Sequence, residues 1–204
     1  GFIDGILTGA IAPEKQSHYL GIVSGEVKRL SRLVSSLLDI TRLQAGEKKI
    51  VKSPFDICEM ARHVLISCED RIEEKSLDVA FDTEFDSMSV IADHDSIHQI
   101  LYNLIDNAIK FSYDKGLLEI SIRQKDRKTF VSVKNEGKGI PHDELPLVFE
   151  QFYKSDKSRG LDKTGLGLGL YICKTVIDRH EEEIWVKSEE GRWCEFVFTL
   201  ESGR

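Results

Sequence analysis

Cysteine is scarce in this chain and carries no pattern. Cys58, Cys68, Cys173 and Cys194 are the only four in 204 residues, no two form a C-x-x-C pair, and each sits in an apolar run. That spacing argues against a disulfide framework or a zinc module and reads as buried thiols in a reducing compartment. No apolar run approaches the roughly 20 residues that span a bilayer, and no signal peptide is visible. Positive charge is short as well: 28 Lys and Arg stand against 35 Asp and Glu, a formal net charge of −7. The overall field therefore does not favour nucleic acid, although a local basic pocket for phosphate is still open. There is no internal repeat and no low-complexity tract. The chain opens on Gly1 without a methionine and reads as an excised fragment.

What is present is globular. Hydrophobic residues make up 41% and charged residues 31%, enough for one ordinary domain or a compact domain with a small appendage. Residues 1–7 carry Phe2, Ile3, Ile6 and Leu7 at helical spacing, too short a helix to stand alone. After a break at residues 8–13, a long helix is predicted over 14–45. Leu20, Val23, Val27, Leu30, Val34 and Leu37 recur in alternating steps of three and four, a coiled-coil seam, and Leu33, Leu38 and Ile40 widen it. Residues 46–54 form a polar, lysine-bearing linker, which places the domain boundary there. The expected division is a partial helical hairpin over 1–46 and a second domain over 53–202.

Beyond the linker, helix and strand alternate. Asp56 and Glu59 make a capping-box pattern ahead of a helix. Leu77, Val79 and Phe81 alternate as a strand, 90–92 adds a short one, and Asp95 is placed to cap a helix carrying Ile97, Ile100, Leu101, Leu104, Ile105 and Ala108. Two strands follow around a turn at Asp126. Helix resumes near Leu168 and runs to about Arg179. A closing hairpin pairs 184–187 with 193–200. This order predicts an α+β fold, an antiparallel or mixed sheet with helices on one face.

Polar chemistry gathers in four segments. In Asn103-Leu104-Ile105-Asp106-Asn107-Ala108-Ile109-Lys110, the residues Asn103, Asn107 and Lys110 share one helix face. An amide oxygen can ligate Mg²⁺ that is shared with substrate phosphates, and Lys110 supplies a phosphate charge. Asn135-Glu136-Gly137-Lys138-Gly139-Ile140-Pro141 follows a strand; its glycines let backbone approach a ligand, and Pro141 is expected to open a helix. Phe149-Glu150-Gln151-Phe152-Tyr153-Lys154 reads as an aromatic helix end whose Phe149 and Phe152 pack in the core, with Lys154 placed for phosphate. Thr164-Gly165-Leu166-Gly167-Leu168-Gly169-Leu170 enters a helix, where backbone N–H groups and the helix dipole make an anion site. Singly, each segment is equally a solvated face, a turn or a packed helix end.

Their order and spacing resemble the N, G1, F and G2 boxes of sensor histidine kinases. The resemblance covers 53 to about 201 and extends upstream, where 29–46 looks like the second helix of that family's dimerisation hairpin. It implies the two-layer α/β sandwich shared with DNA gyrase, preceded by a helical-hairpin remnant. It implies ATP and Mg²⁺ as cofactors. By position, Asn107 would hold the metal with Asn103 nearby, Lys110 and Lys154 would meet phosphates, and Phe111 would flank the adenine. Asn135 would read the base, Gly137 and Gly139 with Ile140 would admit it, and Phe149 would belong to the same wall. Residues 155–164 would be the ATP lid, and Thr164, Gly165, Leu166, Gly167, Leu168 and Gly169 would shape its end. Asn103 and Lys110 are the implied catalytic residues. Implied partners are a response-regulator receiver domain and, in the intact protein, a second copy through the hairpin. The implied location is a cytoplasmic part of an inner- or plasma-membrane sensor.

Two departures stand out. The phosphoacceptor motif, a histidine followed by an acidic residue and soon a proline, is absent, and none of the six histidines fits it. They read as surface or packing residues, and the acceptor is expected before Gly1. The family usually carries Asp where this chain has Asn135. Three functions stay open: a histidine kinase, an ATPase or serine kinase of the same superfamily, and a nucleotide-binding pseudokinase. Relatives of the second kind usually place Glu at the position of Asn103, and an amide cannot act as a general base.

Overall fold

The computed structural model describes residues 1–44, 49–154 and 167–203. It divides into two compact units, Gly1–Lys48 and Lys49–Arg204. The first unit holds α1 (Phe2–Leu7) and α2 (Pro13–Gln44), with Phe2 stacked on Tyr19 at 4.9 Å. Leu20, Val27, Leu30, Val34 and Leu38 are exposed along α2, so much of the apolar stripe read from the sequence is uncovered in this single chain. The side chains of Leu33, Leu37 and Ile40 lie outside the described residues. Among the described residues no helix is long and apolar enough to cross a membrane.

The second unit runs β1 (Ser53–Asp56), α3 (Ile57–Ser67), α4 (Glu69–Glu74), β2 (Asp78–Thr83), β3 (Ser89–Ala92), α5 (His94–Phe111), β4 (Leu117–Lys125), β5 (Lys128–Glu136), α6 (Gly169–Arg179), β6 (Ile184–Glu189) and β7 (Trp193–Ser202). The seven described strands form one sheet in the order β1-β3-β7-β5-β4-β2, with β6 added on β7. Only β2 and β4 run parallel; the other pairs are antiparallel. The sheet is mixed, as the sequence pattern predicts. β1 is the strand the pattern misses, because Pro54 and two polar neighbours within four residues read as linker. It forms because it borders β3 alone, at the sheet edge, where a proline is tolerated.

Alternation decides which face the helices cover. Leu118, Ile120 and Ile122 on β4, Val131 and Val133 on β5, and Phe198 and Leu200 on β7 are buried, and α5 contributes Ile97, Ile100, Leu101, Leu104 and Ile105, each fully buried. The register pairs Val133 with Phe196 and Val131 with Phe198, so this apolar set is continuous across strands. Between these positions the side chains are polar or aromatic: Lys134 meets Glu119 and lies over the Trp193 ring, and Ser132 donates to Glu195.

Capping explains where the helices start. Asp56 accepts from the N–H groups of Cys58 and Glu59, as its pattern suggests. The cap of α5 is Asp93 rather than Asp95. Asp93 is extended, and its carboxylate accepts from Ser96 N at 3.0 Å, while Asp95 lies within the first turn. The helix expected at Pro141 does not form. A turn closes there, with Glu144 N donating to Pro141 O, followed by a short 3₁₀ turn at Leu145–Leu147. Pro146 has no N–H to donate back, and it disfavours helical backbone at Leu145. Phe152 is likewise not core: it is 56% exposed and has φ of 63°.

Candidate nucleotide-binding site

A cavity of about 120 Å³ opens beside α5 and the end of the sheet. Of the residues singled out in the sequence, Asn107, Phe111, Asn135, Gly139, Ile140 and Lys154 line it. α5 supplies the first two because it runs on to Phe111. Lys75 holds that helix end: its ammonium donates to the carbonyls of Lys110 at 2.8 Å and Ser112 at 3.0 Å, placing a cation on the negative end of the helix. Lys110 itself does not line the cavity; its Nζ lies 5.6 Å from the centre of the Phe111 ring.

Asn135 ends the buried alternation of β5 and is 4% exposed. Its neighbour across the sheet is Cys194, another cavity residue. Asn135 Nδ2 is buried and has no hydrogen-bond partner among the described residues. Beyond it the chain turns through Gly137 and Gly139. A Cβ on Gly137 would stand 2.2 Å from Phe111 O, and one on Gly139, where φ is +61°, 2.3 Å from Glu189 O. Only glycine fits either place. The turn is strapped to the β6–β7 hairpin: Gly137 N donates to Arg192 O, Gly191 N to Lys138 O, and Ile140 N to Ser188 Oγ.

Asn103 sits one turn before Asn107 and faces α6. Its Nδ2 donates to Gly169 O at 3.4 Å and reaches Cys173 Sγ at 3.9 Å. With the nitrogen turned to α6, the amide oxygen is left for another partner. Burial pushes the Cys173 thiol up to about 12, so it stays neutral beside that amide. Gly167 has φ of +68°, and a Cβ there would meet Tyr153 O at 2.6 Å; its carbonyl accepts from Phe152 N. Leu168 is buried just before α6. Phe149 packs edge-on against Phe196, behind the cavity wall. Thr164, Gly165, Leu166 and residues 155–164, the expected lid, lie outside the described residues.

Sequence reading alone did not find Lys138, Glu144, Val148, Tyr153, Cys194 and Phe196, which also line the cavity. Glu144 and Val148 come from the segment expected to be helix. Cys194 and Phe196 read simply as alternating strand residues, and nothing in a sequence reports that β7 lies next to β5.

The histidine kinase-, DNA gyrase B-, and HSP90-like ATPase family matches residues 92–204, more than half of the chain and the part that carries this site. The chain belongs to that family. It is 33% identical over 202 residues to the sensor protein SrrB of Staphylococcus aureus, covering 98% of this chain and 34% of SrrB. It thus spans about a third of the length of the curated relatives it matches. Among solved structures, the catalytic domain of histidine kinase ThkA is 30% identical with a TM-score of 0.66, covering 76% of this chain and 98% of that domain. Acinetobacter baumannii histidine kinase AdeS is 25% identical with a TM-score of 0.79, covering all of this chain and 93% of AdeS. ThkA has also been solved in complex with a response regulator protein, at 28% identity and a TM-score of 0.78, with all of this chain and 56% of that one covered. The resemblance to a sensor histidine kinase ATPase core, read first from four short segments, is therefore one of family and of fold.

Proposed function

We propose that this chain is the Mg-ATP-binding catalytic core of a protein-histidine kinase, transferring the γ-phosphoryl group to a histidine that lies outside the present sequence. The observation that carries the reading is the buried amide of Asn135, whose Nδ2 has no partner among the described residues, on a residue that lines the cavity together with Gly139. A buried polar group without a partner costs about 1–3 kcal/mol, a cost that a bound base would remove.

The residues present fit the expected ligands. Asn135 would read adenine, Phe111 would flank it, and Gly137, Gly139 and Ile140 would leave it room. Asn107 would ligate Mg²⁺ through its amide oxygen, with Asn103 beside it, and Lys110 and Lys154 would meet phosphate. Mg²⁺ bound here would be held jointly by amide and phosphate oxygens, the ligand set such an ion takes beside a nucleotide. Bound Mg²⁺ would neutralise charge on the phosphates; the chain's own part is to position and to exclude water. Asn103 supports a kinase over an ATPase, since its amide cannot take a proton from water. The same reading carries a receiver-domain partner, a homodimer through the helical hairpin of the intact protein, and a cytoplasmic place in a membrane-bound sensor.

Calorimetric titration tests it. Mg-ATP should bind the chain and bind poorly without Mg²⁺, and Asn107→Ala should abolish that dependence. The chain alone should gain no phosphate, whereas a longer chain with the upstream helix should gain acid-labile, base-stable phosphate. Mg²⁺-dependent affinity unchanged in Asn107→Ala would remove the metal assignment. A longer chain that binds Mg-ATP and transfers nothing would favour the pseudokinase.

A further inference from the structure

Among the described residues, two buried polar atoms on residues lining this cavity have no hydrogen-bond partner. Asn135 Nδ2 is a donor without a partner, and Glu144 Oε2 is an acceptor without one among the described residues. Both residues line the same cavity, and Asn135 is 4% exposed. Around them stand Phe111, Ile140, Val148 and Phe196, apolar surfaces suited to a flat ring. Native structures leave few such atoms unpaired, so two of them on residues that line one cavity point to the polar contacts of a ligand. That ligand must bring an acceptor for Nδ2 and a donor for Oε2.

Both purines bring the pair, with different arrangements. Adenine offers N1 as acceptor and its 6-amino group as donor. Guanine offers O6 as acceptor, with N1–H and the 2-amino group as donors. The two differ in sign at position 6. A carboxylate at the base-reading place accepts only, so it takes the 6-amino group and repels O6. An amide holds a donor and an acceptor on one pivot and suits either base. The sequence puts that amide at residue 135, and Glu144 adds an acceptor of the kind guanine's N1–H and 2-amino group satisfy.

We propose that Asn135 and Glu144 make this a purine site open to guanine, binding Mg-GDP and Mg-GTP in the same cavity as adenine nucleotides. The inference rests on the nucleotide-binding reading above and deepens it by naming the base specificity. Asn135 is the specificity-determining residue; Glu144 favours guanine over adenine.

Titration calorimetry of the 204-residue chain with Mg-ADP and Mg-GDP, alone and in competition, tests this. In the unaltered chain the two affinities should lie within about tenfold, and each nucleotide should displace the other. Asn135→Asp should shift the ratio against GDP by roughly threefold to thirtyfold, the difference between a neutral and a charge-assisted hydrogen bond. Glu144→Gln, on the more exposed wall, should weaken GDP several-fold and ADP less, because guanine offers two donors there and adenine one; it keeps the test intact if melting curves show Asn135→Asp unfolded. GDP binding more than about a hundredfold weaker than ADP in the unaltered chain would overturn the proposal, as would an ADP-to-GDP ratio that neither substitution moves. If neither nucleotide binds, the nucleotide reading itself falls; if ADP binds and GDP does not, only the guanine inference falls.

Discussion

The two ends of the cavity are built differently. At the end that holds Asn135, the walls are sheet and a strapped turn. Asn135 is flanked by Leu118 on one side and Cys194 on the other, and Gly137 and Gly139 press against backbone carbonyls. At the end that holds Asn107, the walls are α5 and α6, which contributes Leu170, and one turn before Asn107 the Asn103 amide joins the two helices, reaching Gly169 O at 3.4 Å and the Cys173 thiol at 3.9 Å. On the proposed function, a planar base would meet the fixed slot that backbone supplies, and phosphates, which change position and charge during transfer, would meet half-buried side chains on two packed helices. The difference teaches where substitutions should be tolerated.

Gly137→Ala should produce the largest effect. The added methyl would stand 2.2 Å from Phe111 O and 2.7 Å from Asn135 Nδ2, so the obstacle is backbone on one side and the Asn135 amide on the other. Overpacking of this kind costs about 1–3 kcal/mol, and a clash with backbone belongs at the upper end. A melting temperature lowered by roughly 6–12 °C is expected for a chain of this size, with nucleotide binding lost even where folding survives. Gly139→Ala adds left-handed backbone strain, φ being +61°, to a similar clash. A Gly137→Ala chain that melts normally and binds Mg-ADP normally would erase the claim that the base end is rigid.

An intermediate effect is expected at the far ends of the two helices. His180 terminates α6 and is 2% exposed. Its Nε2 accepts from the N–H of Asp93, the cap of α5, at 3.0 Å, and its Nδ1 contacts Val176 O at 2.8 Å. The ring is therefore neutral with the proton on Nδ1. Burial, with Lys52 and Arg179 nearby and against the opposing pull of Val176 O and Asp93, lowers the pKa of His180 below the ordinary histidine value of 6.5. The unfolded chain takes up a proton around that value while the fold refuses it. Stability is thus complete above pH 6.5 and falls as pH drops below it, with a slope of at most about 1.4 kcal/mol per pH unit from this one site. Urea unfolding between pH 8 and 5 checks this. His180→Gln should flatten the slope in that interval, and an unchanged slope would show that the helix pair is not joined through this ring.

The comparison also shows what a sequence can and cannot convey. α5 was legible because its apolar residues repeat at helical spacing, and that same spacing put Asn103, Asn107 and Lys110 on one face. The glycines were legible because few residues other than glycine serve in a turn that touches backbone. Glu144 and Cys194 were not. Glu144 reaches the cavity because Pro146 stops a helix and leaves a turn, a competition between two local signals. Cys194 reaches it because β7 pairs with β5, a contact across 59 residues of chain, from Asn135 to Cys194, that no local pattern encodes. The cap of α5 was displaced by two residues because Asp93 and Asp95 both suit the role and only backbone geometry chooses between them. Lys110 shares its helix face with the asparagines but lies over Phe111, because a long side chain goes where a ring and a helix end draw it.

The smallest effect should come from Gly169→Ala, and its sign is the sharper test. Gly169 opens α6 with ordinary backbone, and an added Cβ would find Asn103 Cγ at 3.7 Å, a normal van der Waals distance. Nothing in the fold requires glycine there. Alanine in place of glycine within a helix stabilises by up to about 1 kcal/mol, less at a first-turn position. The melting temperature should therefore stay level or rise by roughly 1–3 °C. Binding should follow a different rule. The new methyl lies against the amide that α6 holds through Gly169 O, so Mg-ATP affinity should fall by a few-fold while Mg²⁺-free binding of the bare nucleoside is untouched. A glycine kept for folding would give the reverse, a lower melting temperature with unaltered affinity. If Gly169→Ala destabilises the chain as much as Gly137→Ala does, the two ends of the cavity are equally rigid and the contrast between backbone slot and helical clamp does not hold.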